Sequence, residues 1–283
     1  MNIISCSSPD NMLRINWHIL NWCNYKCSYC NVKGNLSYDY NDTTQISKDY
    51  KIMISRLKLI KKPFELCLTG GEPTLHPNIS EILTMLNGIK NLHKVYFFTN
   101  LSRSTTFFEK ILNLKKVVYY ASYHPEYHSD DFLKKSKKLG CEVHISMMSE
   151  YKDKVLKIIE QCKLEKIPFC LNFLSDTSYY KNTIDYAFYD EVIQSDDMIE
   201  IDLVYENQKV EKTTNLKMLY EGKNKFKGYE CTPESYSITI DNIIRNVCSN
   251  EIVSLSLSNM SKKIKCPHDS CEGGLMMYPK ELL

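Results

Sequence analysis

The sequence lacks any apolar run long enough to span a bilayer, so it predicts no membrane-spanning helix. It also lacks an excess of charge, because 36 Lys and Arg balance 34 Asp and Glu to give +2. A protein that binds nucleic acid usually carries a strongly basic surface, so this balance argues against such a partner. Residues 1–20 lack the basic start and long apolar stretch of a secretory signal. These absences predict a cytoplasmic protein without a membrane or nucleic-acid partner.

Cysteine, in contrast, is abundant, with twelve residues in a chain of 283. The cytoplasm keeps thiols reduced, so these residues are not expected to form a disulfide framework. Clustered cysteines in that compartment indicate metal binding or catalysis instead.

Short β-like segments alternate with amphipathic helix-like segments from about residue 12 to residue 175. The predicted strands cover 13–20, 64–69, 94–99, 117–122, 142–147 and 169–174. The predicted helices cover 48–59, 79–89, 106–112, 131–139 and 152–160. Six such units predict an α/β fold, a partial (β/α)6 barrel with its chemistry at the C-terminal strand ends.

The pattern changes after residue 175, where periodicity becomes weak. We therefore predict three parts: a barrel at 1–175, a connecting segment at 176–230, and a small C-terminal cluster-binding subdomain at 231–283. The last part is too short for a sizeable core, so a bound metal is expected to stabilise it.

Three cysteines, Cys23, Cys27 and Cys30, lie in the loop that follows the first predicted strand. Soft thiolates favour iron–sulfur clusters, zinc or copper(I). A structural zinc site normally has four protein ligands, so three cysteines suggest a cluster with one iron open to a small molecule. Spacing alone leaves open a zinc knuckle completed by a distant Cys or His.

The second predicted strand ends in a Gly70-Gly71-Glu72-Pro73 segment. Paired glycines allow close approach of a ligand to the backbone, and Glu72 supplies an anionic acceptor for an ammonium group. Together with Cys-x3-Cys-x2-Cys, in which Tyr29 precedes the third cysteine, this segment resembles the signature of radical SAM enzymes.

The resemblance implies that S-adenosylmethionine (SAM) binds the open iron of a [4Fe–4S] cluster. The reduced cluster would then generate a 5′-deoxyadenosyl radical that takes a hydrogen atom from the substrate. It also implies that the backbone around Tyr29 meets the adenine, that 70–73 meets the methionine end, and that Ser122 contacts the ribose. A Ser at a strand end is also a common cap, and Asn100 and Asn172 near other strand ends have equally ordinary turn or core roles.

Four further cysteines lie near the C-terminus, where alternating Ile and polar residues around Asn242 predict a β-hairpin. The four are Cys231, Cys248, Cys266 and Cys271. The hairpin would bring the first two of them, Cys231 and Cys248, close together. This segment resembles the shortened auxiliary-cluster (twitch) domain of radical SAM enzymes, with Asn242 in place of the usual Gly. The resemblance implies a second [4Fe–4S] cluster, which either binds substrate at an open iron or carries off the electron that remains after hydrogen abstraction. Four cysteine ligands favour the second role.

Zinc is the alternative occupant of this C-terminal site, because zinc also accepts four thiolates. His268 is an alternative ligand in place of one cysteine, although a Pro-His-Asp surface turn explains it equally well.

The other five cysteines are expected to be small core residues: Cys6, Cys67, Cys141, Cys162 and Cys170. Cys67 and Cys170 lie on predicted strands, so either one facing the barrel interior is a candidate hydrogen-atom donor to a substrate radical. His124 and His128 follow the fourth strand and are candidates for substrate contact or base catalysis.

The sequence thus favours a radical SAM enzyme that oxidises or epimerises a small, carbohydrate-like substrate and receives electrons from a flavodoxin or ferredoxin. Modification of a ribosomally made peptide is the second hypothesis. A non-catalytic zinc or iron–sulfur scaffold is a third, of a different class.

Overall fold

A computed structural model describes residues 2–8, 12–30, 46–47, 49–111, 113–174, 200–254, 262–271, 278 and 280–282. Residues 175–199 of the predicted connecting segment lie outside the described residues. The described strands form two sheets, one of eight strands and one of six.

The eight-stranded sheet contains six parallel strands in sequential order. They are β2 (Leu13–His18), β3 (Phe64–Thr69), β4 (Leu92–Thr99), β5 (Val117–Tyr123), β6 (Glu142–Met147) and β7 (Phe169–Phe173). The predicted parallel sheet is therefore confirmed. Its two edges do not pair with each other, so it is a partial barrel.

Helices connect these strands, as the alternating pattern predicts. They are α1 (Tyr50–Leu57), α2 (Ile79–Asn87), α3 (Thr105–Glu109), α4 (Phe132–Leu139) and α5 (Lys152–Glu165). Helix α4 ends at Gly140, whose φ of 62° is in the left-handed region that favours glycine. No helix in the described ranges is long and apolar enough to cross a membrane.

The main core lies between the helices and one face of this sheet. On β2, the side chains of Leu13, Ile15 and Trp17 are fully buried in a cluster that includes residues of α1 and α2. Because side chains alternate along a strand, Asn16 and His18 point to the opposite face, the barrel interior. The core thus fixes which side chains are available to a ligand.

The predicted hairpin is present as β11 (Ser235–Ile238) and β12 (Ile244–Asn246). Asn242 has a φ of 60°, the left-handed conformation that the sequence predicts for this turn. Strand β11 pairs in parallel with β2, so the hairpin extends the barrel sheet.

The six-stranded sheet is made of β1 (Ile3–Ser7), β8 (Glu200–Tyr205), β9 (Val210–Thr214), β10 (Glu230–Cys231), β13 (Ile264–Lys265) and β14 (Lys280–Glu281). Their order across the sheet is β13-β10-β14-β1-β8-β9. Helix α6 (Asn215–Tyr220) follows β9. This sheet takes strands from all three predicted parts. The boundaries at 175 and 230 stay predictions about domain organisation.

Candidate functional site

The three N-terminal cysteines lie at the C-terminal end of the barrel, in the loop after β2. The Cys30 amide donates to the Cys27 carbonyl at 3.3 Å, and the Tyr25 amide donates to Cys23 Sγ at 3.4 Å. Burial raises the pKa of the Cys23 and Cys27 thiols to about 12. Because metal ligation requires thiolates, binding of a cluster must release these protons.

The glycine pair after β3 lets the cysteine loop approach this strand. A Cβ on Gly71 would lie 1.8 Å from the Trp22 carbonyl oxygen, and one on Gly70 would lie 2.4 Å from the Leu20 carbonyl oxygen. A backbone hydrogen bond also joins the two segments, since the Gly71 amide donates to the Leu20 carbonyl at 2.9 Å. The chain's own cysteine loop therefore occupies the space that the two missing side chains leave.

Glu72 is 2% exposed, and its carboxylate accepts hydrogen bonds from several groups around it. Its Oε1 accepts from the Thr74 amide at 3.1 Å, the Thr74 hydroxyl at 2.6 Å and the Thr99 hydroxyl at 2.8 Å. Its Oε2 accepts from the Asn100 amide at 2.7 Å. Burial raises the pKa of Glu72, and these donors oppose that rise. Glu72 thus joins the ends of β3 and β4, and contact with the methionine ammonium stays a prediction.

Asn100 also reaches the cysteine loop. Its Nδ2 donates to Asn24 Oδ1 at 2.9 Å, while its Oδ1 accepts from the Ser102 amide at 3.0 Å. A side-chain hydrogen bond therefore joins the end of β4 to Asn24, the residue after Cys23.

The loop after β5 packs against the opposite side of the cysteine loop. Glu126 accepts from the Ser28 amide at 2.8 Å and from the Ser28 hydroxyl. Tyr127 stacks on Tyr25 with ring centroids 5.2 Å apart. No local sequence pattern indicates Glu126, because its partner Ser28 lies 98 positions away in the chain.

His124, a predicted candidate, lies beside Cys27. Its Nδ1 is 3.8 Å from Cys27 Sγ and hydrogen-bonds with the Tyr29 hydroxyl. Burial lowers the pKa of His124 to about 4, so its imidazole is neutral near pH 7. His128 is exposed, and its ring packs against Tyr123.

The barrel interior brings together other predicted residues. Strand register places Ser122 opposite His144 and His144 opposite Cys170, so the three form one row across β5, β6 and β7. Glu142, His144 and Cys170 have ligand atoms within 4.8 Å of one another. Cys67 lies between Asn16 and Tyr96 on neighbouring strands. Both candidate hydrogen-atom donors therefore face the interior, while their role stays a prediction.

Three other cysteines are buried, as expected of core residues: Cys6 is 1%, Cys141 is 1% and Cys162 is 0% exposed. Asn172 lies opposite Ser146 in the barrel interior.

All four C-terminal cysteines line one cavity of about 440 Å³, together with Val247, Ile264 and Lys280. Burial raises the pKa of Cys231 to about 11 and that of Cys248 to about 12, and Lys280 opposes both shifts. His268 also lines the cavity, and its Nε2 donates to the Cys248 carbonyl at 2.7 Å. The four sequence-distant cysteines thus line one cavity, and their role as ligands of one metal site stays a prediction.

The spacing of these thiols bears on the choice between zinc and a cluster. Tetrahedral zinc with Zn–S bonds of ~2.3 Å holds its thiolate sulfurs ~3.8 Å apart. Within the described part of the chain, the triad Glu142, His144 and Cys170 is the only set of three such ligands within 4.8 Å. No three described cysteines have thiols this close together, and the choice between zinc and an iron–sulfur cluster stays a prediction.

A second cavity of about 410 Å³ lies at the C-terminal ends of β2 and β3, next to the hairpin. It is lined by Gly70 of the glycine pair, by Val247 next to Cys248, and by polar side chains. The polar residues are Asn16, His18, Thr69, Ser237, Asn246 and Asn250. Burial lowers the pKa of His18, so this lining is uncharged near pH 7. No sequence pattern marks His18 as a site residue, because it is a single histidine at the end of a strand.

Solved structures share this fold at low sequence identity. Streptococcus suis SuiB bound to S-adenosylmethionine is 14% identical, with a TM-score of 0.59, and the match covers 90% of this chain and 63% of SuiB. SuiB bound to its precursor peptide SuiA is 15% identical, with a TM-score of 0.57 and coverage of 82% and 58%. Native anSMEcpe with bound AdoMet and Cp18Cys peptide is 15% identical, with a TM-score of 0.54 and coverage of 88% and 78%. The chain thus spans less than two thirds of SuiB.

No curated protein matches the chain. The profile of the radical SAM superfamily, however, matches residues 17–176 of the 283. This match covers more than half of the chain and includes both the cysteine loop and the glycine pair that packs against it. The chain therefore belongs to the radical SAM superfamily.

Proposed function

We propose that this protein is a radical SAM enzyme that oxidises or epimerises a small, neutral, carbohydrate-like substrate. The observation that carries the proposal is the junction of the cysteine loop with the end of β3, where Gly71 and Glu72 donate backbone hydrogen bonds to Leu20 and Trp22. This junction brings a three-thiol set and the segment proposed to meet the methionine end of SAM to one end of the barrel.

Cys23, Cys27 and Cys30 would hold the [4Fe–4S] cluster that superfamily membership implies. With SAM bound, this cluster supplies the 5′-deoxyadenosyl radical that takes a hydrogen atom from the substrate. The chain's own residues orient these groups: Asn100 and Glu126 fix the cysteine loop from two sides. Tyr29, Gly70, Gly71, Glu72, Pro73 and Ser122 are the proposed SAM contacts.

The cavity that Gly70 and His18 line supports the proposed substrate class. Amide, hydroxyl and neutral imidazole groups line it, and these groups donate and accept hydrogen bonds without a net charge. Such a lining suits a polyhydroxylated molecule better than a carboxylate or phosphate ester, because an anion would be left without a counter-charge. The cavity volume of about 410 Å³ is in the range for small-molecule sites.

The C-terminal cysteines Cys231, Cys248, Cys266 and Cys271 are the proposed ligands of a second [4Fe–4S] cluster. Four ligands leave no vacancy for a substrate, so this cluster would accept the electron that remains after hydrogen abstraction. The substrate would then lose two electrons in total. A flavodoxin or ferredoxin in the cytoplasm would supply electrons to the first cluster.

Peptide modification is the second candidate function. It is favoured by two structures of similar fold, one of SuiB with the precursor peptide SuiA and one of anSMEcpe with the Cp18Cys peptide. A peptide backbone is also neutral and polar, so the same cavity lining is compatible with it.

Anaerobic reconstitution followed by SAM cleavage tests the enzyme proposal. We expect ~4 irons per cluster site and production of 5′-deoxyadenosine with dithionite. The variant C23A/C27A/C30A should lose this activity, whereas the control C141A, which removes a buried thiol outside both sites, should retain it. Purified protein that holds only zinc and does not cleave SAM would support the scaffold hypothesis and contradict the proposal.

The substrate proposal needs a separate measurement, the transfer of deuterium into 5′-deoxyadenosine. Deuterated sugars and aminocyclitols should label the product, and His18→Leu should weaken substrate binding by about tenfold because it replaces a cavity-lining polar group. Labelling only by peptides encoded next to this gene would favour the second function instead.

A further inference from the structure

Lys280 lies on β14, the strand that joins β1 to β10 in the second sheet. Its register partner on β1 is Cys6, and its register partner on β10 is Cys231. Directly opposite residues of antiparallel strands point to the same face of a sheet. The Lys280 side chain is therefore flanked by two thiols, and the residue is 1% exposed.

The Lys280 side chain also reaches the cavity of the four C-terminal cysteines. It is part of the wall of this cavity of about 440 Å³. Its Nζ donates to the Tyr278 carbonyl at 2.8 Å and lies 5.4 Å from the centroid of the Phe226 ring. The carbonyl and the ring hold the ammonium group inside the protein, where charge interactions are only weakly screened by solvent.

The proposed cluster site carries a negative charge, so a buried lysine beside it affects how easily the cluster is reduced. Four thiolates around an oxidised [4Fe–4S] core of charge +2 carry about −2 in total, and reduction by one electron makes it about −3. A buried cation in the same cavity stabilises the more negative state most strongly, since Coulomb energy scales with the charge.

We propose that Lys280 raises the reduction potential of the cluster held by the C-terminal cysteines, and so makes this cluster a better electron acceptor. This inference rests on the proposed second cluster. In this role Lys280 acts through its positive charge, because it lies beside the cluster without being one of its ligands.

The test is an EPR-monitored redox titration with dithionite in the C23A/C27A/C30A background, in which only the C-terminal cluster can contribute a signal. At a fixed potential, K280M should lower the ratio of reduced to oxidised cluster about tenfold, which is a midpoint about 59 mV lower for a one-electron couple. K280R keeps the positive charge and should keep the midpoint. Lys227 is an exposed control near the cavity, paired with Asp269 at 2.7 Å, and K227M should leave the midpoint unchanged.

Two results would overturn the inference in different ways. An unchanged midpoint in K280M with full iron content would show that the cluster exists and that Lys280 does not tune it. If the C23A/C27A/C30A protein with Lys280 unchanged binds zinc, or binds no iron, the second cluster itself is absent. Loss of iron in K280M together with retention in K280R would support charge compensation, because a packing defect would affect both variants.

Discussion

Gly71 is the residue at which the site tolerates a side chain least. A Cβ there would lie within 2.9 Å of the Trp22 carbonyl and the Cys23 amide, and these atoms belong to backbone that cannot rotate away. The position therefore links the packing of β3 to the placement of the first cluster cysteine.

Gly71→Ala should reduce the free energy of unfolding by about 2–3 kcal/mol and lower the iron bound at the first site, because the cysteine loop must shift. Urea denaturation of the metal-free chain and iron analysis after reconstitution measure both effects. Gly88→Ala is the matched control: its Cβ would meet only the Met85 carbonyl oxygen, at an ordinary 3.5 Å. Equal stability of the two variants would contradict the packing argument.

Individual residues were predictable where chemistry depends on residue type at a short spacing. Cys23, Cys27 and Cys30 could be proposed in this way, because a thiol set within one loop is visible without knowledge of distant contacts, and their role as cluster ligands stays a prediction. Glu72 was predicted as a ligand-facing anion, and the structure adds that its carboxylate also bonds the end of β4. That bond joins residues 28 positions apart, which no local pattern indicates.

At the scale of elements, the loop after β5 matters most for the site. Glu126 holds the Ser28 amide and hydroxyl, and the stacked pair of Tyr127 and Tyr25 covers the same side of the cysteine loop. The loop after β5 thus holds the segment between Cys23 and Cys30 in place.

Glu126→Ala should increase the rate at which a chelator removes iron from the first site several-fold, with a loss of about 1 kcal/mol in folding stability. The rate is read from the decay of cluster absorbance under anaerobic conditions. Asp130→Asn, an exposed change in the same loop, should leave the rate at the wild-type value. Equal rates for the two variants would show that Glu126 does not hold the loop.

Element boundaries followed the sequence closely where strands are buried. The bounds of β3 and β6 match the predicted 64–69 and 142–147, because Pro63 and Gly70 flank β3 and Gly140 lies just before β6. The helix predicted at 48–59 is shorter, at Tyr50–Leu57. Helix ends depend on capping contacts, and the residue before this helix, Asp49, makes no side-chain cap.

At the scale of the whole molecule, β14 connects distant parts of the chain. It pairs with β1 and β10, and Tyr278 just before it donates to the carbonyls of Met12 and Glu234. The C-terminal cysteine cavity therefore depends on a strand that lies outside the cysteine segment itself.

A chain ending at residue 277 should lose amide-exchange protection in β1 and β10 but keep it in β2–β7, since β14 belongs to the other sheet. Hydrogen–deuterium exchange with mass spectrometry resolves the two sheets. Removal of Leu283 alone serves as the control. Unchanged protection of β10 in the shorter chain would contradict a structural role for β14.

The sequence by itself determined the radical SAM superfamily and the alternation of strands and helices in the barrel, because these depend on short motif spacing and local periodicity. The tertiary structure decided how these parts meet. It placed the hairpin on the edge of the barrel sheet, brought Lys280 to the C-terminal cysteines, and set Glu126 against the first cysteine loop. Each of these contacts joins residues that are far apart in the chain, and their proximity is set by sheet register and core packing, which local sequence does not specify.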